Sequence, residues 1–286
     1  MFERVVENAP WTARAYFKVV NLAGKLVLMS GRNGLTYLGD VWESPNGEDW
    51  TQILPDDASR QIGSFGACVH DRRLFVNVGL PNPISTLVAS PDGINQQTFT
   101  DRPWTARYDG EMVSHDGRLW LIGGDDGDYC NDVWWTRDGV TWVEALPNGH
   151  AYFSPRSDHR ILSHAGRLWV IGGTDDNGYC SDVWSSADGI HWTQETPAAA
   201  FGGINNHAIV SFDNRIVVVT GSKDGVDEAK LWHSLDGVLW EGGRDAEFDP
   251  RGEFALEVFD NRIYLFGGES GGTVYNDVWR TVGMEF

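Results

Sequence analysis

A glycine recurs along the chain with a period of roughly 48 residues, at Gly31, Gly79, Gly124, Gly173, Gly221 and Gly268. That repeat limits the possible folds more than any other property of the sequence. In three repeats it completes a pair, Gly123-Gly124, Gly172-Gly173 and Gly267-Gly268, and the pairs follow short apolar runs such as Arg118-Leu-Trp-Leu-Ile122. β-branched and aromatic runs ended by glycine predict buried strands. About ten residues on comes Asp-Val-Trp at Trp42, Trp134, Trp184 and Trp279, with Leu-Trp at Trp232. Further along stand Trp50, Trp142, Trp192 and Trp240, each behind a turn such as Ser186-Ala-Asp-Gly189. In such turns Asp or Asn accepts backbone N–H groups and Gly supplies positive φ, which is a hairpin signal.

Each repeat therefore predicts four short strands, and six repeats predict blades stacked around an axis, an all-β six-bladed β-propeller. The blades fall at about 11–54, 62–99, 104–146, 153–196, 201–243 and 249–281 in one domain over 1–286. The tryptophan columns are expected to fill the wedges between blades. The second repeat is degenerate, with Val78 before its glycine and Val88 and Gln96 in the tryptophan columns, but it keeps Ser90-Pro-Asp-Gly93. In the last repeat the outer tryptophan would fall one residue past Phe286. The strand-like segment 2–7 is therefore expected to complete the last blade and close the ring, leaving no open sheet edge.

The formal net charge of −19 argues against nucleic acid and against an anionic membrane surface as partners. No signal peptide and no apolar run of membrane-spanning length is visible, and Cys68, Cys130 and Cys180 suit a reducing compartment. The expectation is a cytoplasmic monomer.

The glycine pairs and spaced aromatics resemble the kelch family over essentially the whole chain. The Ser-x-Asp-Gly turns are similar to the Asp-box of sialidase propellers in physical role. The resemblance implies a function at one mouth of the central channel, where loops gather on a rigid scaffold. It makes the protein either a binding module for a small polar ligand or protein segment, or an enzyme resembling the kelch-type sialic acid mutarotase.

Sixteen residues before the first position of each glycine pair lies the ring Arg14, Ile62, Arg107, Arg156, Ile204 and Arg251. Two residues on it reads Tyr16, Ser64, Asp109, Asp158, Asn206 and Glu253, and the next position gives Phe17, Phe65, Gly110, His159, His207 and Phe254. Arg14, Arg107, Arg156 and Arg251, with Tyr16, Asp109, Asp158, Asn206 and Glu253, are the candidate ligand-binding set, arginine suiting an anion. The competing reading makes the arginines Arg–Asp locks between neighbouring inner strands. Asp109, Asp158, Glu253, His159 and His207 are the candidate proton-transfer groups.

His159, His207 and Asp158 offer the residue types of a metal site, and the resemblance to plant specifier proteins implies iron near this mouth, but no ligand spacing is recognisable and no cofactor is required. The acidic loops at Asp125, Asp126, Asp128, Asp175, Asp176, Asp224, Asp227, Glu228 and Glu269 read as calcium ligands or as solvated turns. Tyr129-Cys130 and Tyr179-Cys180 read as blade packing rather than a disulfide, since equivalent points on third strands lie roughly 10 Å apart, or a galactose-oxidase-like copper site. No P-loop, nucleophile elbow or zinc spacing is present.

Overall fold

The computed structural model describes residues 1–77, 79–81, 86–223 and 225–283; Val78, Asp224 and Phe286 lie outside them. The short strands of each repeat pair antiparallel in chain order. The first sheet holds Lys18–Leu22, Lys25–Met29, Val41–Ser44 and Thr51–Leu54. The second runs from Gly66–His70 to Gln97–Phe99, the third from Glu111–His115 to Val143–Leu146, and the fourth from Arg160–His164 to Thr193–Thr196. The fifth runs from Ala208–Phe212 to Glu241–Asp245. The sixth holds Ala255–Phe259, Arg262–Phe266 and Val278–Thr281, with Phe2–Val6 paired antiparallel to the last of these. Among the described residues these are six four-stranded sheets, and the one helical turn is Ala58–Arg60.

The innermost strands abut in cyclic order: Lys18–Leu22 meets both Gly66–His70 and Ala255–Phe259. Packing of side chains and single backbone hydrogen bonds such as Gly173 N to the Ile204 carbonyl (2.9 Å), not a continuous hydrogen-bonded sheet, join one sheet to the next. The outer tryptophans do this work from a position just before the outermost strand, not within it as the repeat had suggested, since those strands begin at Thr51, Val143, Thr193 and Glu241. Trp192 lies with Trp120 and Ile122 of the preceding sheet and meets Phe153 edge-on at 5.1 Å between centroids. Trp104–Trp142 at 4.6 Å and Phe201–Trp240 at 4.9 Å repeat the motif, each adding about 0.5–1.5 kcal/mol beyond its area. In the sixth sheet Phe2 makes the same edge-on contact to Phe248, at 5.4 Å, and so stands where the other sheets place the outer tryptophan.

The turn before each tryptophan is built from its own side chains. Asp188 accepts from the backbone N–H of Ile190 and His191 (2.9 and 2.8 Å), Ser186 Oγ accepts from Gly189 N (2.9 Å), and Trp192 Nε1 donates to the Gly189 carbonyl (3.1 Å). Asp92 of the degenerate repeat makes the same pair of bonds to Ile94 and Asn95, so its hairpin is intact. Gly189 sits at φ +73, and a Cβ there would fall 2.2 Å from Trp120 Cζ3 of the preceding sheet. Glycine is therefore needed both for the turn and for the contact between sheets.

Candidate functional site

The loops between second and third strands are two-stranded ribbons, including Arg32–Asn33 with Thr36–Tyr37, Thr174–Asp175 with Gly178–Tyr179, and Glu269–Ser270 with Thr273–Val274. The residue that enters each inner strand pairs with its ribbon: Ala15 with Arg32, Gly63 with Leu80, Tyr108 with Asp125, Ser157 with Thr174, Gly252 with Glu269. Asn205 does so with Ser222. This pairing sets the depth of the following residue, which in all six repeats turns into the left-handed region: Tyr16 (φ 57), Ser64 (53), Asp109 (50), Asp158 (53), Asn206 (52) and Glu253 (53). Backbone hydrogen bonds join four of the six neighbouring pairs of this ring. Tyr16 N donates to Glu253 O (3.2 Å), Ser64 N to Tyr16 O (3.3 Å), Asp109 N to Ser64 O (2.9 Å) and Glu253 N to Asn206 O (3.1 Å). Six polar side chains thus face one mouth of a central channel of about 410 Å³.

Burial crowds the carboxyls of this ring. Burial first, then Asp158 and Glu253, pushes the Asp109 carboxyl well above its ordinary value, with Arg160 opposing. Asp158 is raised mainly by burial against the same Arg160. Glu253 is pushed up to about 7, again by burial first, with Arg160 pulling it down and Asp158 raising it. Glu253 is 7% exposed, its Oε2 lies 3.7 Å from Arg160, and its Oε1 has no hydrogen-bond partner. Above the ring Arg32 lies over Tyr16 at 4.1 Å and pairs with Glu269 at 3.2 Å.

Two residues below the ring is a charged layer that the sequence reading missed. Lys18 donates to Glu111 across the channel (2.8 Å), and Arg160 donates to the same Glu111 oxygen (3.1 Å) and to the His207 carbonyl (2.8 Å). Burial alone would raise Glu111, but Lys18 and Arg160 hold it below its ordinary value. The equivalent positions in the other repeats are Gly66, Ala208 and Ala255. Three charged residues among three small ones at a strand start was the available signal.

The four ring arginines have a different role from the one expected. Arg14, Arg107, Arg156 and Arg251 are at most 2% exposed, and each turns away from the channel to the Asp of its own Asp-Val-Trp. Arg14 donates to both Asp40 oxygens (2.7 and 2.9 Å) and to the Ser30 carbonyl (2.8 Å), and Trp42 Nε1 donates to Asp40 as well (2.7 Å). Arg107–Asp132, Arg156–Asp182 and Arg251–Asp277 repeat the pairing at 2.5, 2.7 and 2.6 Å. Their donors are used within the repeat, so neither the ligand-gripping role nor a lock between neighbouring inner strands describes them. In these four sheets they tie the segment that enters the first strand to the third strand or the residue just before it.

His159 and His207 are fully buried, their rings lying on the bare Cα positions of Gly123 and Gly172 in the preceding repeat. Burial holds His159 down to about 3 and His207 well below its ordinary value. Neither ring nitrogen of either makes a well-formed hydrogen bond, and neither ring lines the channel mouth. Among the described residues no three His, Cys, Asp or Glu side chains gather to hold a metal ion. Four of the acidic loop residues are occupied locally: Asp125 binds Tyr108 and Gly127 N, Asp126 binds Thr105, Asp175 binds Ser154, and Asp227 binds Ser222. Cys68, Cys130 and Cys180 are free, and no helix among the described residues is long and apolar enough to cross a membrane.

The family model of the DUF6242 beta propeller domain matches residues 7–285. No curated protein matches the chain.

Proposed function

The chain belongs to the DUF6242 β-propeller domain family, and from that footing we propose that it is a binding module whose ligand is a small polar molecule seated at the ribbon-lined channel mouth. We read the six sheets as blades of a kelch-type propeller closed by Phe2–Val6, supported by the cyclic order of inner strands and the pairing of that segment with Val278–Thr281. The observation that carries the functional reading is the left-handed ring itself: Tyr16, Ser64, Asp109, Asp158, Asn206 and Glu253 are held rigidly at the entrance to the channel. The mouth cavity lined by Tyr16, Ser64, Asp109, Asp158 and Asn206, of about 360 Å³, lies within the ~300–1,000 Å³ of small-molecule sites. Arg160 is the cation beside this ring and is itself paired with Glu111 and Glu253, as the four ring arginines are with their aspartates.

A second reading, acid–base catalysis on a small substrate, is favoured by Glu253, pushed up to about 7, beside Asp109, whose carboxyl burial also raises well above its ordinary value. Carboxyls so displaced give a proton donor and an acceptor near neutral pH. Ligand-observed NMR over a library of polar metabolites, repeated on Asp158→Asn and Tyr16→Ala, tests the binding reading. Ligands that bind both variants as they bind the parent would place the site elsewhere. Turnover of a bound ligand that is lost in Glu253→Gln while binding persists would favour the catalytic reading.

A further inference from the structure

The mouth has a chemical character that narrows its ligand. Six of the chain's eight tyrosines gather at this end: Tyr16 and Tyr108 on the segments entering the inner strands, and Tyr37, Tyr129, Tyr179 and Tyr275 on or beside the ribbons. The tryptophans instead fill the wedges between sheets. Of these Tyr16, Tyr37 and Tyr108 line the mouth cavity, with Arg32 over one face of Tyr16 and the Tyr108 hydroxyl on Asp125; tyrosine offers a flat apolar face and a hydroxyl at its edge, which suits a ligand that is itself apolar on its faces and hydroxylated around its rim.

The basic groups at the mouth are already paired. Lys18 and Arg160 share Glu111, Arg160 also faces Glu253, and Arg32 pairs with Glu269. No basic group of this layer is left over for an anionic ligand, and the deeper arginines are bound to Asp40, Asp132, Asp182 and Asp277. What is left over is an acceptor: Glu253 Oε1, buried, unpartnered and lining the mouth. Around it Ser64, Tyr16 and Asn206 can each donate and accept, as a hydroxyl group does. A buried carboxylate oxygen without a donor is a costly arrangement, and a ligand hydroxyl would supply the missing hydrogen bond.

We infer that the ligand of this mouth is a neutral polyhydroxylated ring, a monosaccharide or the end of a glycan, with one hydroxyl on Glu253 and others on Asp158 and Asn206. The inference rests on the binding reading above and deepens it. The protonated forms that burial favours for Asp109 and Glu253 fit the same ligand, since an uncharged carboxyl can both donate to and accept from a hydroxyl.

The test is calorimetric titration of the full chain with three sets of probes. The neutral set is the methyl glycosides of glucose, galactose, mannose, xylose and N-acetylglucosamine with their short oligosaccharides; the cationic set is glucosamine and putrescine; the anionic set is gluconate and N-acetylneuraminate. At least one neutral glycoside is expected to bind saturably and to lose roughly tenfold or more in affinity in Glu253→Gln, the worth of one hydrogen bond to a charged group. Asp158→Asn and Asn206→Ala are expected to weaken the same glycoside, and they serve if Glu253→Gln does not fold. Stronger binding of the cationic or anionic probes, lost in the same variants, would keep the mouth as the site and overturn the neutral-sugar assignment. No saturable binding of any neutral probe up to about 10 mM, where a weak millimolar site would show, also overturns it. A glycoside that binds all three variants unchanged would overturn both the assignment and the mouth.

Discussion

His159 occupies a position that other repeats give to Phe17, Phe65 and Phe254, and replacing it with phenylalanine should make the protein markedly less sensitive to acid. The imidazole is fully buried and held down to about 3, chiefly by loss of solvation, with Glu111 the main opposing influence and Arg156 and Arg160 reinforcing the shift. An unfolded histidine titrates near 6.5. The folded value is the lower one, so the unfolded chain gains a proton that the folded chain refuses. Stability is intact above about pH 6.5 and is lost as pH falls toward 3. At pH 5 the loss from this one residue is about 2 kcal/mol, and its ceiling at low pH is about 5 kcal/mol.

Space for the ring exists. The Phe17 ring lies 3.1 Å from where a Cβ of Gly267 would be, and the His159 ring sits 2.8 Å from the same point on Gly123. Any overpacking in His159→Phe, about 1–3 kcal/mol, acts equally at every pH and so cannot imitate loss of a titration. Urea unfolding followed by tryptophan fluorescence at pH 7.5, 6.5, 5.5 and 5.0 gives the measurement. The gap between variant and parent should move by about 2 kcal/mol in the variant's favour between pH 7.5 and 5.0. His115 and His164, also lowered by burial, remain in both proteins and cancel. Parallel pH curves would refute the reasoning, because they would mean that His159 takes up its proton in the folded state.

Three further substitutions probe the scaffold and the channel. Arg107→Met leaves Asp132 buried with its Trp134 bond alone and should cost about 3–5 kcal/mol; a double-mutant cycle with Asp132→Asn showing negligible coupling would sink the lock. Gly189→Ala puts a methyl against Trp120 at φ +73 and should cost about 2–4 kcal/mol, with a loss under about 1 kcal/mol by urea unfolding counting against the contact. Glu257, in the channel wall, is pushed up to about 7, mainly by burial. Its folded value is the higher one, so its charge penalises the fold above pH 7 and not below about 4.5. Glu257→Gln should therefore be more stable than the parent at pH 8, by about 2–3 kcal/mol, and equal to it at pH 4; an equal gain at both would exclude titration of Glu257 as the cause.

The hairpins were legible in the sequence because their chemistry is local: Ser186, Asp188, Gly189 and Trp192 make every bond of the turn within seven residues of chain. The arginines misled because their partners are distant in sequence, Arg14 meeting Asp40 across 26 positions. The clue was nonetheless present. The two repeats with isoleucine in place of arginine, at Ile62 and Ile204, also lack the aspartate, carrying Thr86 and Lys230 there. Paired losses mark paired residues. Lys18, Glu111 and Arg160 escaped because the register was not carried two positions past the ring. The left-handed backbone was legible only in part: Asp109, Asp158 and Asn206 tolerate positive φ, but nothing local in Tyr16 or Glu253 favours it.

That last point bears on where function lies. A non-glycine residue in the left-handed region costs about 1–2 kcal/mol, and all six ring positions adopt it. If the ring served the fold alone, glycine or asparagine would meet the backbone requirement with less strain. Asn206, Asp109 and Asp158 are of types that adopt the conformation more readily; Tyr16, Ser64 and Glu253 are not. The repeats agree with one another where packing dictates the residue, as with the outer tryptophans and the four Arg–Asp pairs. At the ring they share one backbone conformation and differ in side chain, from tyrosine through serine and asparagine to three acids. Strain kept for side chains that the fold does not need points to a ligand that does.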